Sequence, residues 1–223
     1  MSDQAMPITA EQLAISTGAT AQRAAMWIDP IRAAMPVFEI YTLPRIGMFL
    51  ANVGHESGRL MFPREIWGPT ASQVRYERDF TAPWPSSPSE ASQPQFERNR
   101  LAFGLGNTQL GDGKRFMGRG LIELTGRANY CAARDGMRKF LPNVPDFERM
   151  PELLEMMAWA AYSAAWFWMA HGCNAMADAG DFDGVCDLIN RGHKTAKEGD
   201  SNGYAERLAN WTVAQIPLGI GAA

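Results

Sequence analysis

Apolar residues recur at intervals of three and four along much of this chain, the spacing that gathers them on one face of an α-helix. Near the start, Thr9 and Gln12 have the spacing of a capping box, which predicts a short helix that stops near Gly18. A second helix is predicted over 20–35, with Trp27 on its apolar face. The first part of the chain is therefore expected to be helical.

A third helix is predicted to begin after Thr42, which can cap it, with Pro44 in the first turn where a missing N–H costs nothing. Apolar residues spaced from Ile46 to Val53 mark its buried face. Glu56 follows three residues later, so this carboxyl is expected near the inward face at the C-terminal end of the helix. Partial burial there would favour the protonated form of the carboxyl.

The second half of the chain predicts four further helices, over 127–134, 151–170, 182–190 and 202–215. The 151–170 segment is apolar on nearly every face, as expected for the central buried helix of a larger lobe. A strand signal is present only at 121–125 and is short. The sequence therefore predicts a mainly α protein with a small β element.

Between residues 63 and 118 the helical spacing is lost, and the segment is rich in proline, serine and glycine. Long ordered loops in a compact domain often carry function, so this one is a candidate rim for a cleft. The alternative is a solvent-facing insertion without a role. Trp67 and Trp84 lie in this segment outside any helical pattern, which makes them candidates to stack on sugar rings, whereas most other rings are expected in the core.

Length and composition are those of one ordinary globular domain over 1–223, with no separate binding module. The net charge of −3 provides no global attraction to nucleic acid or to an anionic membrane. Three cysteines and three histidines are too scattered to indicate a disulfide framework or a metal site. No metal or cofactor is therefore expected.

The N-terminus lacks the basic start and apolar run of a signal peptide, and the longest apolar stretch, near 156–170, is too short to span a bilayer. We therefore expect synthesis in a reducing cytoplasm and no stable membrane insertion. A substrate outside the cytoplasm would require a separate route of delivery.

Two carboxyl side chains, Glu56 and Glu65, are the main candidates for chemistry. Cleaving a glycosidic bond usually needs one protonated carboxyl to donate to the leaving oxygen and one ionised carboxyl to act on water or on the sugar. The spacing leaves open whether the two groups are about 5 Å apart, for retention, or about 6.5–9.5 Å apart, for inversion. The non-catalytic alternatives are a surface acid or a local cap at Glu56 and, at Glu65, a partner for Arg64 or another nearby cation.

A glycine-rich segment at 118–130 is the most distinctive stretch of the chain. Its glycines permit close backbone approach, and period-two alternation puts Glu123 and Thr125 on one side of the expected short strand. A hydroxyl and a carboxyl side by side can hold a water or a sugar hydroxyl. Farther along, Asn190 could hydrogen-bond an acetamido group, and Arg207 could fix the charge state of a carboxylate.

Together these segments resemble glycoside hydrolase family 19, the chitinase-like family that includes many phage endolysins. The resemblance extends from about residue 46 to residue 211. It is carried by His55-Glu56-Ser57-Gly58, by Gly118-Arg119-Gly120 leading into Leu124-Thr125-Gly126-Arg127-Ala128-Asn129-Tyr130, and by Ile189-Asn190-Arg191-Gly192. Runs similar to the phage and prophage branch are Arg64-Glu65-Ile66-Trp67-Gly68, Gly106-Asn107-Thr108 and Gly111-Asp112-Gly113.

The resemblance implies a lysozyme-like, two-lobed helical fold and an inverting mechanism that needs no cofactor. By position, Glu56 matches the general acid, Glu65 the base that activates water, and Thr125 the residue that helps hold that water. Asn190 matches a substrate-binding asparagine, and Arg207 matches, more loosely, a basic residue near the acid.

Trp67, Glu123 and Asn129 complete the set of expected substrate contacts. Two positions depart from the family pattern, because Glu123 stands where glutamine is common and Arg191 where glycine is common. An extra acid at position 123 could tune the choice of substrate, favour the protonated form of Glu56 by like-charge repulsion, or be a neutral variation.

The function expected from these features is that of an endolysin-type enzyme, a monomer that hydrolyses β-1,4 bonds of peptidoglycan glycan strands after release through a holin or a secretion device. The alternatives are a chitinase acting on chitin oligomers, an antibacterial effector with the same chemistry, and a non-catalytic glycan-binding protein that shares the fold. A nucleic-acid partner is not expected.

Overall fold

The computed structural model of the chain describes residues 8–220 and is almost entirely helical. Within that range, twelve α-helices are joined by turns and by two short 3-10 helices. In chain order the α-helices are α1 (Ala10–Thr17), α2 (Ala21–Val37), α3 (Leu43–Glu56), α4 (Ala71–Val74), α5 (Pro88–Ala91), α6 (Arg100–Gly104), α7 (Asp112–Arg115), α8 (Arg127–Met137), α9 (Met157–Ala170), α10 (Cys173–Asp178), α11 (Phe182–Arg191) and α12 (Tyr204–Leu218). The 3-10 helices are Pro94–Phe96 and Pro151–Glu155. Over residues 8–220, every helix is too short or too polar to cross a lipid bilayer.

The first three helices begin where their capping residues predict. Thr9 and Gln12 form the expected capping box, with each side chain accepting from the other's backbone N–H at 3.1 Å and 2.7 Å. The side chains of Thr20 and Thr42 cap α2 and α3 in the same way. Helix α2 continues two residues beyond the predicted end at 35 and contains Pro36. Local capping chemistry is thus sufficient to define this part of the fold.

Helix α9 is the central buried helix, as its apolar composition predicts. It packs against α2, α8 and α10, and the Trp168 ring meets the Phe49 ring of α3 edge to face at 5.5 Å between centroids. The indole N–H of Trp168 donates to Asn174 at 2.7 Å, so the one polar atom of this buried ring is satisfied.

The single helix predicted over 151–170 is wrong, because the chain breaks at Met156. This residue has extended backbone angles, φ −67° and ψ 131°, between the 3-10 turn and α9. The break leaves Leu154 in the core while the carboxylate of Glu155 turns to the guanidinium of Arg119 at 2.7 Å. The apolar pattern continues through the break because both segments bury their apolar residues.

The strand predicted at 121–125 is also wrong, since these residues form a tight buried turn. Arg119 and Leu124 exchange backbone hydrogen bonds of 3.1 Å and 2.8 Å, and Arg119 forms a second isolated bridge with Arg64. Glu123 has a left-handed backbone with φ 51°, which no strand contains. The apolar residues here are buried in a turn, and that burial produces the pattern that resembles strand alternation.

The segment over 63–118 is an ordered wall built on buried polar side chains. Asn99 receives a hydrogen bond from the backbone N–H of Asp79 at 2.8 Å and donates to the carbonyl of Pro83 at 3.1 Å. Gln73 and Asn107, also buried, bond the backbone in the same manner. Buried amides can replace regular secondary structure here because they pair backbone groups that would otherwise be unsatisfied.

Helix α1 crosses α3 in direct backbone contact at Gly54. A Cβ atom at this position would lie 2.6 Å from the carbonyl oxygen of Thr17 and 2.7 Å from its Cα. Both atoms belong to the backbone of α1, which cannot move without displacing the helix. Gly54 therefore sets the distance between the two helices immediately before Glu56.

Gly54→Ala is expected to lower the free energy of unfolding by about 1–3 kcal/mol, because the added methyl forces α1 away from α3. Urea unfolding followed by circular dichroism measures this change. The control is Gly104→Ala in α6, where an added Cβ meets no atom within 4 Å and stability should be unchanged or slightly higher. Equal effects of the two substitutions would contradict the close crossing.

Candidate active site

Glu56 ends α3 and is held there by a buried arginine of α12. Arg207 is 1% exposed, and one of its guanidinium nitrogens contacts a carboxylate oxygen of Glu56. The other two nitrogens donate to the Asn52 side chain at 2.7 Å and to the Asn202 carbonyl at 3.1 Å. The contact fixes the orientation of the Glu56 carboxyl.

His55 makes a second link between α3 and α12. Its Nδ1 lies 2.8 Å from a carboxylate oxygen of Glu206, and this hydrogen bond is the main reason that the pKa of Glu206 is lowered. The imidazole also covers Gly203 so closely that a Cβ there would lie 2.0 Å from the ring. His55 therefore links the two helices beside Glu56, and its ring packs on Gly203.

The chain reverses direction after Glu56 through an unusual left-handed turn. Residues 58–60 have φ values of 55°, 63° and 60°. The hydroxyl of Ser57 accepts from the backbone N–H of Leu60 at 2.9 Å, and Arg23 of α2 donates to the carbonyl of Arg59 at 2.6 Å. These bonds hold a conformation that is costly for residues other than glycine, and the turn sends the chain back along the cleft.

Glu65 is anchored on the opposite wall by Gly118. The backbone N–H of Glu65 donates to the Gly118 carbonyl at 2.9 Å, and the backbone N–H of Gly118 donates to the Glu65 carboxylate at 3.1 Å. The hydroxyl of Tyr76 donates to the other carboxylate oxygen at 3.4 Å. Burial, followed by the charge of Glu65, raises the pKa of Tyr76 to about 12, so this hydroxyl keeps its proton. The alternative role as a partner for Arg64 is wrong, since Arg64 pairs with Glu155 at 3.7 Å.

Glu123 and Thr125 meet beside the same glycine. A Cβ atom on Gly118 would lie 3.1 Å from the Cβ of Glu123 and 3.2 Å from the hydroxyl of Thr125. The Thr125 hydroxyl donates to the Glu123 carbonyl at 2.7 Å, which leaves its lone pairs free to accept from a water. The two side chains are neighbours as predicted, although a turn and not a strand brings them together.

Glu123 is the carboxyl with the most perturbed charge state. Burial, followed by the negative charges of Glu56 and Glu65, raises its pKa from 4.5 to about 7. Since both of those charges act on Glu123, the three carboxyls share one site. Among residues 8–220, no side chain forms an ion pair or hydrogen bond with the Glu123 carboxyl within the usual distances.

Comparisons with known proteins show the family of the chain. No family model matches the chain. A curated protein of Haemophilus influenzae, described as a glycosyl hydrolase family 19 domain-containing protein, is 30% identical over 152 residues, which is 65% of this chain and 70% of that protein. The chain belongs to glycoside hydrolase family 19.

Solved structures show the same fold for this family 19 protein. Chitinase C from Streptomyces griseus HUT6037 aligns with a TM-score of 0.63 at 18% identity, covering 98% of this chain and 96% of that one. A bacterial family 19 chitinase aligns with a TM-score of 0.60 at 21% identity, covering 96% of each chain. The mainly α, lysozyme-like fold class is thus confirmed, and the chain is a glycoside hydrolase.

The two asparagines expected to bind substrate in this family 19 chain lie at the cleft margin. Asn190 is exposed at the end of α11, and its side-chain oxygen accepts from the Asn202 backbone N–H at 3.0 Å. Asn202 is also the residue whose carbonyl binds Arg207, so Asn190 is tied to the anchor of Glu56. Asn129 is exposed in α8 and donates to the Thr125 carbonyl at 2.7 Å. Substrate binding by the two asparagines stays a prediction.

The two tryptophans predicted as groove residues separate in the structure. Trp67 lines a depression of about 400 Å³ together with Glu65 and Lys114. Trp84 packs edge to face on Phe103 at 5.5 Å and lies under the guanidinium of Arg78. Trp67 thus remains a candidate sugar contact, and Trp84 belongs to the packing of the 63–118 wall.

The sequence does not predict three residues of the site. Asn52 precedes Glu56 by one helical turn on a face that is otherwise apolar, and this misplaced polar residue was the available signal. Tyr76 and Asn202 act through contacts across the cleft walls, for which the sequence offers no local signal.

Glu123→Gln is expected to raise the free energy of unfolding, relative to the native protein, more at alkaline pH than at acidic pH. The folded state holds the Glu123 proton up to about pH 7, whereas the unfolded chain releases it near pH 4.5. Because the folded state binds the proton more tightly, the native carboxyl loses stability as pH rises through this window, and glutamine does not.

Urea unfolding of both proteins at several pH values tests this effect. The difference in the free energy of unfolding, variant minus native, should grow between about pH 4.5 and pH 7 and then level off. A difference that is the same at all pH values would contradict the perturbed charge state of Glu123.

Proposed function

We propose that this chain is an endolysin-type enzyme that hydrolyses β-1,4 bonds of bacterial peptidoglycan, with Glu56 as general acid and Glu65 as general base. The observation that carries the proposal is the independent anchoring of the two carboxyls around one site. Buried Arg207 holds Glu56, while Gly118 and Tyr76 hold Glu65. Two separately held carboxyls support this proposal, because glycosidic cleavage usually needs one carboxyl as acid and a second to act on water or on the sugar.

The surroundings of each carboxyl suit its role. Glu65 accepts hydrogen bonds from the N–H of Gly118 and the O–H of Tyr76, which hold both carboxyl oxygens in place. In the reaction Glu56 gives its proton to the leaving glycosidic oxygen, water attacks the anomeric carbon, and Glu65 takes the proton of that water. Arg207 stabilises the carboxylate that Glu56 becomes, and Thr125 accepts a hydrogen bond from the attacking water. The proposed stereochemical outcome is inversion.

Two cations beside the cleft favour peptidoglycan over chitin. Lys114 lies with Glu65 and Trp67 in the depression on the second wall, and Arg64 beside it has a side chain that is 57% exposed. Peptidoglycan carries carboxylates on its lactyl and peptide substituents, whereas chitin is uncharged. Cations beside the cleft can pair with those carboxylates.

A chitinase is the second candidate, because the solved proteins with this fold are chitinases by their titles. A non-catalytic glycan-binding protein has no need for two separately anchored carboxyls, and this argues against that reading. Within the leading proposal, a monomer made in the cytoplasm acts in the cell wall after release through a holin or a secretion device. An injected antibacterial effector would use the same chemistry by another route.

Glu56→Gln keeps the shape of the side chain but removes the acid, and it is expected to reduce the rate of lysis by about 10²–10⁴-fold. The measurement is the loss of turbidity of bacterial cells whose outer membrane has been stripped. Glu11→Gln on the exposed side of α1 removes the same charge away from the cleft and serves as the matched control. Lysis by Glu56→Gln within about threefold of the native rate would contradict acid catalysis by this residue.

Soluble chitin in a parallel assay distinguishes the two candidate substrates. The peptidoglycan proposal expects rapid lysis of the stripped cells and slow release of sugar from chitin. Rapid cleavage of chitin with no effect on the cells would replace the peptidoglycan proposal with the chitinase one.

A further inference from the structure

Glu123 differs from the other two carboxyls of the site in having no partner. Glu56 is held by Arg207, and Glu65 is held by Gly118 and Tyr76. Among the described residues, no hydrogen-bond donor or cation reaches the Glu123 carboxyl, which is only half buried. A half-buried carboxyl without a protein partner is free to form a hydrogen bond with a ligand.

The backbone under Glu123 is rigid and strained. The paired hydrogen bonds between Arg119 and Leu124 close the turn on both sides of it, and its own N–H donates to the Gly120 carbonyl at 3.3 Å. Its φ of 51° is unfavourable for a residue with a side chain. Gly118 packs directly against its Cβ at the distance already given. The Glu123 side chain is therefore presented toward the site by its surroundings.

The charged and titratable groups that face Glu123 come from three parts of the fold. They are Glu56 at the end of α3, Glu65 in the segment after it, and Tyr76 after α4. The charges of Glu56 and Glu65 disfavour a third carboxylate, and Tyr76 is neutral. The cation of Arg207 is bound to Glu56, so it offsets that charge only in part. A neutral carboxyl has one O–H to donate, whereas a carboxylate can only accept.

We propose that Glu123 binds the glycan in its protonated form, as a hydrogen-bond donor to an acceptor oxygen of a sugar, and that loss of this proton ends productive glycan binding on the alkaline side. The proposal rests on the function proposed above and adds to it a substrate-binding residue that depends on pH. When Glu123 ionises, the donor is lost and a third negative charge enters the cleft. Both changes weaken binding of a glycan whose acceptor oxygen faces the carboxyl.

A different role for Glu123 predicts the opposite behaviour. If Glu123 acts only by keeping Glu56 protonated through like-charge repulsion, its effect appears in kcat. Removing its charge then makes Glu56 easier to ionise, and the alkaline fall of kcat moves to lower pH. If Glu123 itself binds the glycan, its effect appears in KM, and removing the ionisable group moves the alkaline fall of kcat/KM to higher pH.

The test is the pH dependence of kcat and KM between about pH 5 and pH 9 for the native enzyme, Glu123→Gln and Glu11→Gln, with solubilised peptidoglycan glycan strands as substrate. Glutamine keeps an N–H donor at every pH. In the native enzyme and in Glu11→Gln, KM should rise by up to about tenfold per pH unit above neutrality. In Glu123→Gln, KM should stay within about threefold across the range.

Binding can be measured directly with the Glu56→Gln variant, which lacks the catalytic acid. Glu56→Gln should bind the same glycan strands more weakly at pH 8.5 than at pH 5.5, whereas Glu56→Gln with Glu123→Gln should bind equally at both. With the facing negative charge of Glu56 gone, the fall in affinity begins at a lower pH than in the native enzyme. Thermal unfolding of each variant establishes that it is folded.

The proposal is overturned if KM of Glu123→Gln rises with pH as the native KM does, if Glu123→Gln loses more than about tenfold of kcat/KM near pH 6, or if the binding of Glu56→Gln is independent of pH. Failure of the proposed function has a different signature, in which native enzyme and Glu56→Gln lyse stripped cells at the same rate. The two failures are therefore distinguishable.

Discussion

The active site depends on one desolvated cation, Arg207, at the crossing of α12 and α3. A guanidinium that is 1% exposed is stable only when its donors are paired, and here they meet Asn52, Glu56 and the carbonyl of Asn202. Loss of the Glu56 charge would leave the buried guanidinium without a counter-charge, and loss of Asn52 would leave one of its donors unpaired. Arg207 therefore couples the docking of α12 on α3 to the orientation of Glu56. Asn190 is connected to the same contacts through its hydrogen bond with Asn202.

The second wall depends on a similar buried cation. Arg119, 7% exposed, donates to Glu155 at 2.7 Å and to the Tyr130 hydroxyl at 3.0 Å. These contacts fix the turn over 118–126, in which Gly118 brings the carboxyl of Glu65 next to Thr125. On each side of the site, a buried arginine thus holds the backbone or side chain that positions a carboxyl. These arginine contacts position the acid and the base where regular secondary structure is sparse.

How much the sequence predicts follows from the range of the interactions involved. Helices α1 to α3 are predictable because their caps and apolar faces lie within a few residues of each other. Glu56 is predictable for the same reason, together with the motif around it. The contact between Arg207 and Asn52 joins residues 155 positions apart, so no local pattern reports it. The buried turn at 121–125 and the break at Met156 are misread because burial alone produces an apolar pattern.

The central claim is that Glu56 and Glu65 act as acid and base on a water that attacks from the face opposite the leaving group. Proton NMR of the first product formed from β-linked glycan strands, recorded before mutarotation, tests this claim most directly. Inversion by Glu56 and Glu65 would produce the new reducing end first as the α-anomer. Initial appearance of the β-anomer would contradict it, because retention requires a covalent or equivalent intermediate and not direct attack by water.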